Sequence, residues 1–189
     1  DWGHGEVSAA AVVVQGNGSG SFSATHQYLD DNPTATLSDL YTITATITDD
    51  DGGTDSASTT ITVNNVDPIL SALSVDSAVI DEDGSVTVSG TFTDVGTHDT
   101  HPVAIDWGHG EDSSAAVVVQ GNGSGSFSAT HQYLDDNPPA TLSDLYTITA
   151  QINDDDGGTD SASTTITVKH VDPILSVLRV APAGIDGDR

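Results

Sequence analysis

The stretch Tyr146–Val168 reads YTITAQINDDDGGTDSASTTITV. Tyr146, Ile148, Ala150 and Ile152 alternate with Thr147, Thr149, Gln151 and Asn153. An extended chain points successive side chains to opposite faces, so this pattern predicts a strand with one buried face. Ala162, Thr164, Ile166 and Val168 continue the period of two in a second strand. The DDDGG between them is turn chemistry, because glycine takes positive φ without steric cost. Two alternating strands around such a turn make a hairpin, and an all-β protein follows.

The same hairpin occurs earlier, with Tyr41, Ile43, Ala45 and Ile47 facing one way and Ala57, Thr59, Ile61 and Val63 in the return strand. The correspondence extends well beyond the hairpin. DWGHGE at Asp1 returns at Asp106, a spacing of 105 residues, and 1–71 align with 106–176 without a gap. Only seven pairs differ: Val7/Asp112, Ala9/Ser114, Thr34/Pro139, Thr46/Gln151, Thr48/Asn153, Asn64/Lys169 and Asn65/His170. The stretch Ser85–Ile105 occurs once. A period of this length suits a domain that folds by itself rather than a solenoid coil. The expected division is 1–65, an incomplete first unit holding only later strands; 66–170, a complete unit; and 171–189, where VDPILSVLRV (Val171–Val180) copies VDPILSALSV (Val66–Val75) and opens a diverged further unit. The chain opens on Asp1 within an expected strand and contains no methionine, so it is expected to be a stretch of a longer polypeptide.

Further strands are expected at Ile69–Val75, Ser85–Phe92, Val103–Trp107, Val117–Val119 and Phe127–Tyr133. About seven short strands per unit, with no segment of helical period, predict an immunoglobulin-like β-sandwich with Phe92, Ile105, Trp107, Tyr146, Ile148 and Ile166 in its core. The unit resembles the polycystic kidney disease (PKD) domain family. The resemblance lies in GTFTD (Gly90–Asp94), IDWGHG (Ile105–Gly110), the pair His131 and Tyr133, YTITAQINDDDGG (Tyr146–Gly158) and TITV (Thr165–Val168). It implies PKD-type sandwich repeats in tandem. The chain departs from the family at His109, where an aspartate is usual. The unit is also longer than usual, with the extra length around Gln120–Gly125 and Leu134–Asp144.

The net charge is −26, from 29 acids against 3 bases. Such a surface repels phosphate backbones and anionic headgroups, which excludes nucleic acid and membrane surfaces as expected partners. There is no cysteine, hence no disulfide and no thiolate metal site. No apolar run approaches the roughly 18 residues that span a bilayer.

In a sandwich of this type the incoming linker and two loops share one end. Here these are Asn65 and Asp67, then Asp94 and Asp99, then Asp154, Asp155 and Asp156, with Asp49, Asp50 and Asp51 as the first-copy counterparts of the last three. Carboxylates at this density repel one another, and lysine or arginine partners are scarce. Calcium, which takes six to eight hard oxygens, is the expected cofactor, and the family resemblance implies calcium near the same linker. A solvated acidic turn and adaptation to high salt are the alternatives. The turn Asp81–Gly84 belongs at the opposite end.

His98 and His101 lie in a loop without the preset geometry of a zinc site. His26 and His131 alternate in phase with Phe22/Tyr28 and Phe127/Tyr133, as half-buried core histidines would. No G-x-S-x-G elbow occurs, and adjacent aspartates in a turn do not flank a substrate, so no catalytic residues are expected. Trp107 is in phase with the core rather than with an exposed sugar platform. Asn17-Gly18-Ser19 and Asn122-Gly123-Ser124 match the glycosylation pattern but read as turns.

The expected function is a structural or adhesive extracellular spacer, a stalk or filament on a cell surface or in a secreted matrix, stiffened by calcium at its domain junctions. Its expected partners are neighbouring repeats or further copies of itself in a head-to-tail array, with cell-surface or matrix polysaccharide beyond them. The alternative is an accessory carbohydrate- or protein-binding module of a secreted enzyme.

Overall fold

A computed structural model of the chain describes residues 1–31, 35–120, 122–136 and 140–178. These form fourteen strands and no helix: β1 (Ala11–Gln15), β2 (Ser19–Ser23), β3 (Ser38–Thr48), β4 (Thr54–Asn64), β5 (Ile69–Leu70), β6 (Ser74–Val75), β7 (Val79–Asp81), β8 (Ser85–Thr93), β9 (Val103–Asp106), β10 (Asp112–Ser114), β11 (Ala116–Gln120), β12 (Ser124–Gln132), β13 (Ser143–Asn153) and β14 (Thr159–Lys169).

Ten of these strands build a sandwich. One sheet runs β10-β9-β13-β14-β7, and the other runs β11-β12-β8-β5 with β6 also on β8. The two inner faces meet in one core. Val86, Val88, Phe92 and Phe127 come from the second sheet; Val103, Ile105, Ile148, Ala150, Ile152, Ile166 and Val168 come from the first. All six residues expected inside are buried, with Ile105, Ile148 and Ile166 fully so. The expected opening strand Ile69–Val75 is broken. Its ends, β5 and β6, pair separately with β8, and the chain then crosses to the other sheet, where β7 lies parallel to β14. That crossing caps an otherwise open edge, a position that would invite pairing with another chain.

Two aromatic–glycine pairs fix the β8–β12 register. Phe127 lies opposite Gly90, and Phe92 lies opposite Gly125. A Cβ at Gly90 would fall 2.5 Å from the Phe127 ring, and a Cβ at Gly125 would overlap the Phe92 ring. Each phenylalanine therefore covers the glycine across from it.

The first copy carries the same hairpins, β1–β2 and β3–β4, as separate two-stranded sheets. The elements that β12 and β14 meet in the sandwich, β8 and β7, have no first-copy counterpart among the described residues. Identical side chains consequently differ in exposure: Phe22 is 62 % exposed against 3 % for Phe127, and Ile47 is 67 % exposed against none for Ile152. Residues 171–178 form no strand among the described residues, and Ile174 and Leu175 there are largely exposed. A strand needs a neighbour to pair with. The rest of the expected opening strand, 179–180, and the tail beyond it lie outside the described residues.

Candidate metal centre

The β13–β14 turn organises itself through its first aspartate. Asp154 Oδ1 accepts hydrogen bonds from the Asp156 and Gly158 amides at 3.0 and 2.6 Å, and Gly157 supplies φ +100°. Asp154 Oδ2 accepts Asn65 Nδ2 at 2.7 Å, which ties the incoming linker to the turn. Asp67 stands beside Asn65 and Asp154 around the backbone of Gly158. Asp154 is thus a turn and linker anchor with both oxygens engaged. Asp155 Oδ1 accepts the Thr100 amide at 2.6 Å and joins this turn to the loop 94–101.

That loop buries a hydrogen-bonded histidine–aspartate pair. His101 Nε2 lies 2.8 Å from Asp94 Oδ2 with both side chains inaccessible, and Asp94 Oδ1 accepts the Gly96 amide. Asp99 lies beside them at 7 % exposure. Neither Asp99 oxygen meets full hydrogen-bonding geometry to a described group, although the Asp30 carboxyl approaches it. His98 is exposed and stands outside this group.

The face opposite comes from the first copy, from the stretch that leads into β3. Leu29 O accepts the Thr97 amide at 3.1 Å, and the Ala35 amide donates to Asp155 O at 2.9 Å. These bonds seat Asp30 and Asp31 against the acidic loops. Carboxylate oxygens of Asp30, Asp31 and Asp156 lie within 4.8 Å of one another, as do the ligand atoms of Asp94, Asp99 and His101. Asp31 and Asp156 are 3 % and 2 % exposed. Asp31 Oδ2 and both Asp156 oxygens lack hydrogen-bonding geometry to any described group.

The electrostatics follow from this crowding. Burial, then the charges of Asp94 and Asp30, raise the Asp99 carboxyl to about 7. Burial, then the charge of Asp156, raise Asp31 to about 6. Burial also raises Asp156, against a partial offset from the approaching amides of Ala35 and Thr36. An unpartnered buried carboxylate is costly, and a hard cation with several oxygen ligands removes that cost. The donor set is all oxygen apart from His101, whose Nε2 is already taken by Asp94. This chemistry fits calcium. The open oxygens belong to Asp31 and Asp156 in one group and to Asp99 in the other, and Asp30 neighbours both groups.

Of the acidic residues singled out in the sequence, Asp94, Asp99, Asp155 and Asp156 come together in this cluster. Asn65, Asp67 and Asp154 sit behind it as the linker anchor. Asp49, Asp50 and Asp51 are exposed, and Asp49 Oδ1 accepts the Asp51 and Gly53 amides as Asp154 does in its own turn. Asp30 and Asp31 were missed. Their signal was the acidic pair Asp135–Asp136 at the same place in the second copy. At the far end of the sandwich, Asp136 is buried beside Glu82 and His170. His170 Nδ1 lies 3.4 Å from Glu82 and 3.7 Å from Asp136.

No family model matches the chain, and no curated protein matches it. Among solved structures, it is similar to the Pseudomonas fluorescens alkylpurine DNA glycosylase AlkC bound to DNA with an abasic site analog, at 12 % identity and a TM-score of 0.39, over 55 % of this chain and 30 % of that one. It is similar to murine CEACAM1b at 16 % identity and a TM-score of 0.34, over 90 % and 83 % of the two chains. It is similar to mouse clustered PcdhgC3 EC1-3 at 17 % identity and a TM-score of 0.26, over 91 % and 55 %. Likenesses at this level carry no functional argument. Among the described residues, no helix is long and apolar enough to cross a membrane.

Proposed function

We propose that the chain is a structural spacer of an extracellular or cell-surface protein, made of PKD-type immunoglobulin-like sandwich repeats in series, and that calcium held between adjoining repeats stiffens each junction. The observation that carries this is the meeting of Asp31 with Asp156, while Asp30, beside Asp31, reaches Asp99. Asp31 comes from the first copy, Asp99 and Asp156 come from the complete unit, and all three side chains are buried with open oxygens. Such an arrangement is unfavourable without a cation and cohesive with one. Because the ligands come from both sides of the junction, binding couples to the junction's geometry and not only to the stability of one unit.

The exposed face of the first copy supports assembly in series. Val12, Val14, Phe22, Ile43, Ala45 and Ile47 line an open trough of about 1080 Å³. In the second copy the counterparts Phe127, Ile148, Ala150 and Ile152 are buried in the sandwich core. A neighbouring repeat or another copy of the chain supplies the strands that cover this face. Trp107, at 1 % exposure, offers no platform for stacking a sugar, which weighs against the accessory-module reading.

The test is thermal melting of the 189-residue chain at low ionic strength, with calcium or with chelator. Calcium at 100 times its dissociation constant adds about 2.7 kcal/mol per site. A midpoint that rises with calcium, and not with an equal ionic strength of sodium chloride, supports the reading. A midpoint that responds only to total salt overturns it in favour of general charge screening.

A further inference from the structure

A second constellation recurs in both copies, away from the junction. His109 Nε2 and His131 Nε2 stand 2.8 Å apart, and Glu111 Oε2 lies 3.9 Å from His131 Nε2. In the first copy, His4 Nε2 and His26 Nε2 stand 2.9 Å apart, with Glu6 Oε2 3.8 Å from His26 Nδ1. From these groups we propose that each repeat carries a binding site for a zinc-class divalent metal, built from two imidazoles and one carboxylate: His109, His131 and Glu111 in the complete unit, and His4, His26 and Glu6 in the first.

The local fold brings the three ligands together. Gly108 and Gly110 take φ of +84° and +89°, and the Trp107 amide donates to Glu111 O at 3.1 Å. This tight turn presents His109 and Glu111 together. His131 reaches them from β12, in the opposite sheet. Aromatic rings hold the imidazoles in place. Trp107 stacks on His131 at 4.8 Å, Tyr133 meets both histidines edge-on, and Tyr146 meets His109 edge-on. Tyr133 is itself pinned by its hydroxyl, which donates to Trp107 O at 2.9 Å.

The donor set suits the metal. Imidazole nitrogens favour zinc, copper and nickel, while calcium prefers all-oxygen shells. Two zinc–nitrogen bonds at a tetrahedral angle hold their nitrogens about 3.3 Å apart. The observed pair therefore needs to open by only about half an ångström. Glu111 is 68 % exposed and free to swing in as the third ligand, leaving a fourth position to water. The junction cluster lies on other residues, so this site stands or falls independently of calcium there.

The chain's own tryptophans report on it. Trp107 stacks on His131, and Trp2 stacks on His26 at 4.9 Å; the sequence has no other tryptophan. The experiment is a zinc titration of the full 189-residue chain by calorimetry, with calcium in large excess to occupy the carboxylate sites, and a parallel copper(II) titration read by tryptophan fluorescence. The expected stoichiometry is two zinc per chain. It falls to one in His109→Gln and to none in the His4→Gln/His109→Gln double variant; both substituted residues are exposed, and circular dichroism checks that the strands persist. Copper quenches both tryptophans in the parent and only Trp2 in His109→Gln. Affinity in Glu111→Gln drops about tenfold at one of the two sites, equivalent to about 1.4 kcal/mol. Zinc binding absent from the parent, or a stoichiometry and quenching unchanged in the double variant, overturns the proposal; the short nitrogen–nitrogen distance is then a plain imidazole–imidazole hydrogen bond.

Discussion

Asp31 and Asp156 come from different copies of the repeat, yet their carboxylate oxygens lie within 4.8 Å of each other, and both side chains are almost wholly buried. Without a cation this contact sets charge against charge. Its expected behaviour is therefore opposite in the presence and absence of calcium.

Substitution at Asp99 separates the two regimes. Asp99→Asn removes one charge from an overcrowded site while keeping its shape. In chelator the variant melts higher than the parent, by about 1 kcal/mol. In saturating calcium it melts lower, because most of the roughly 2.7 kcal/mol of linkage is gone. Paired melting curves check both signs. A plain solvated turn gives no crossover.

The pH dependence follows from the same crowding. Asp99 is raised to about 7 and Asp31 to about 6, while ordinary aspartates in an unfolded chain titrate near 4. Asp99 faces Asp94, Asp30 and Asp155, and Asp31 faces Asp156, Asp30 and Asp39. His101, paired with Asp94, is the nearest potential cation. Between about pH 4 and 7 the folded state holds protons that the unfolded state has released, so stability falls as pH rises through that window. The metal-free chain should melt higher at about pH 5 than at about pH 7.5. Calcium, which keeps the carboxylates ionised, should flatten or reverse the slope.

Phe22 and Phe127 provide an internal control. Phe127→Ala removes a ring packed between the sheets and should cost about 3–5 kcal/mol. Phe22→Ala removes an exposed ring, and in the isolated chain should stay within about 0.5 kcal/mol of the parent. If neighbouring copies cover the first-copy face, Phe22→Ala instead weakens self-association, read by sedimentation as a shift towards monomer.

Much of the sandwich was legible in the sequence because burial and strand period coincide there. Tyr146, Ile148, Ala150 and Ile152 alternate without exception, and a one-residue slip would expose them all. The β5–β6 break was not legible. Ile69–Val75 has strand composition, and only a one-residue shift in its register on β8, between Ile69–Thr93 and Ser74–Ser89, divides it. The junction was half legible: Asp94, Asp99, Asp155 and Asp156 follow from where the loops of a sandwich lie, whereas Asp30 and Asp31 act on a neighbouring unit, and nothing local marks an inter-unit contact. The histidine pairs were read one ring at a time. His131 does sit half-buried in core phase, but its partner His109 lies across the sandwich, at a distance that periodicity along one strand cannot reveal.

The central claim, that calcium stiffens the junction between repeats, is tested most directly by amide hydrogen exchange of the chain with and without calcium. The Ala35 and Thr97 amides bond across the junction to Asp155 O and Leu29 O, so their protection reports on its opening. With calcium at 100 times its dissociation constant, protection at these two amides should rise about 100-fold, while Ile148 and Ile166 in the sandwich core change little. Equal exchange at Ala35 and Thr97 in calcium and in chelator would contradict the account.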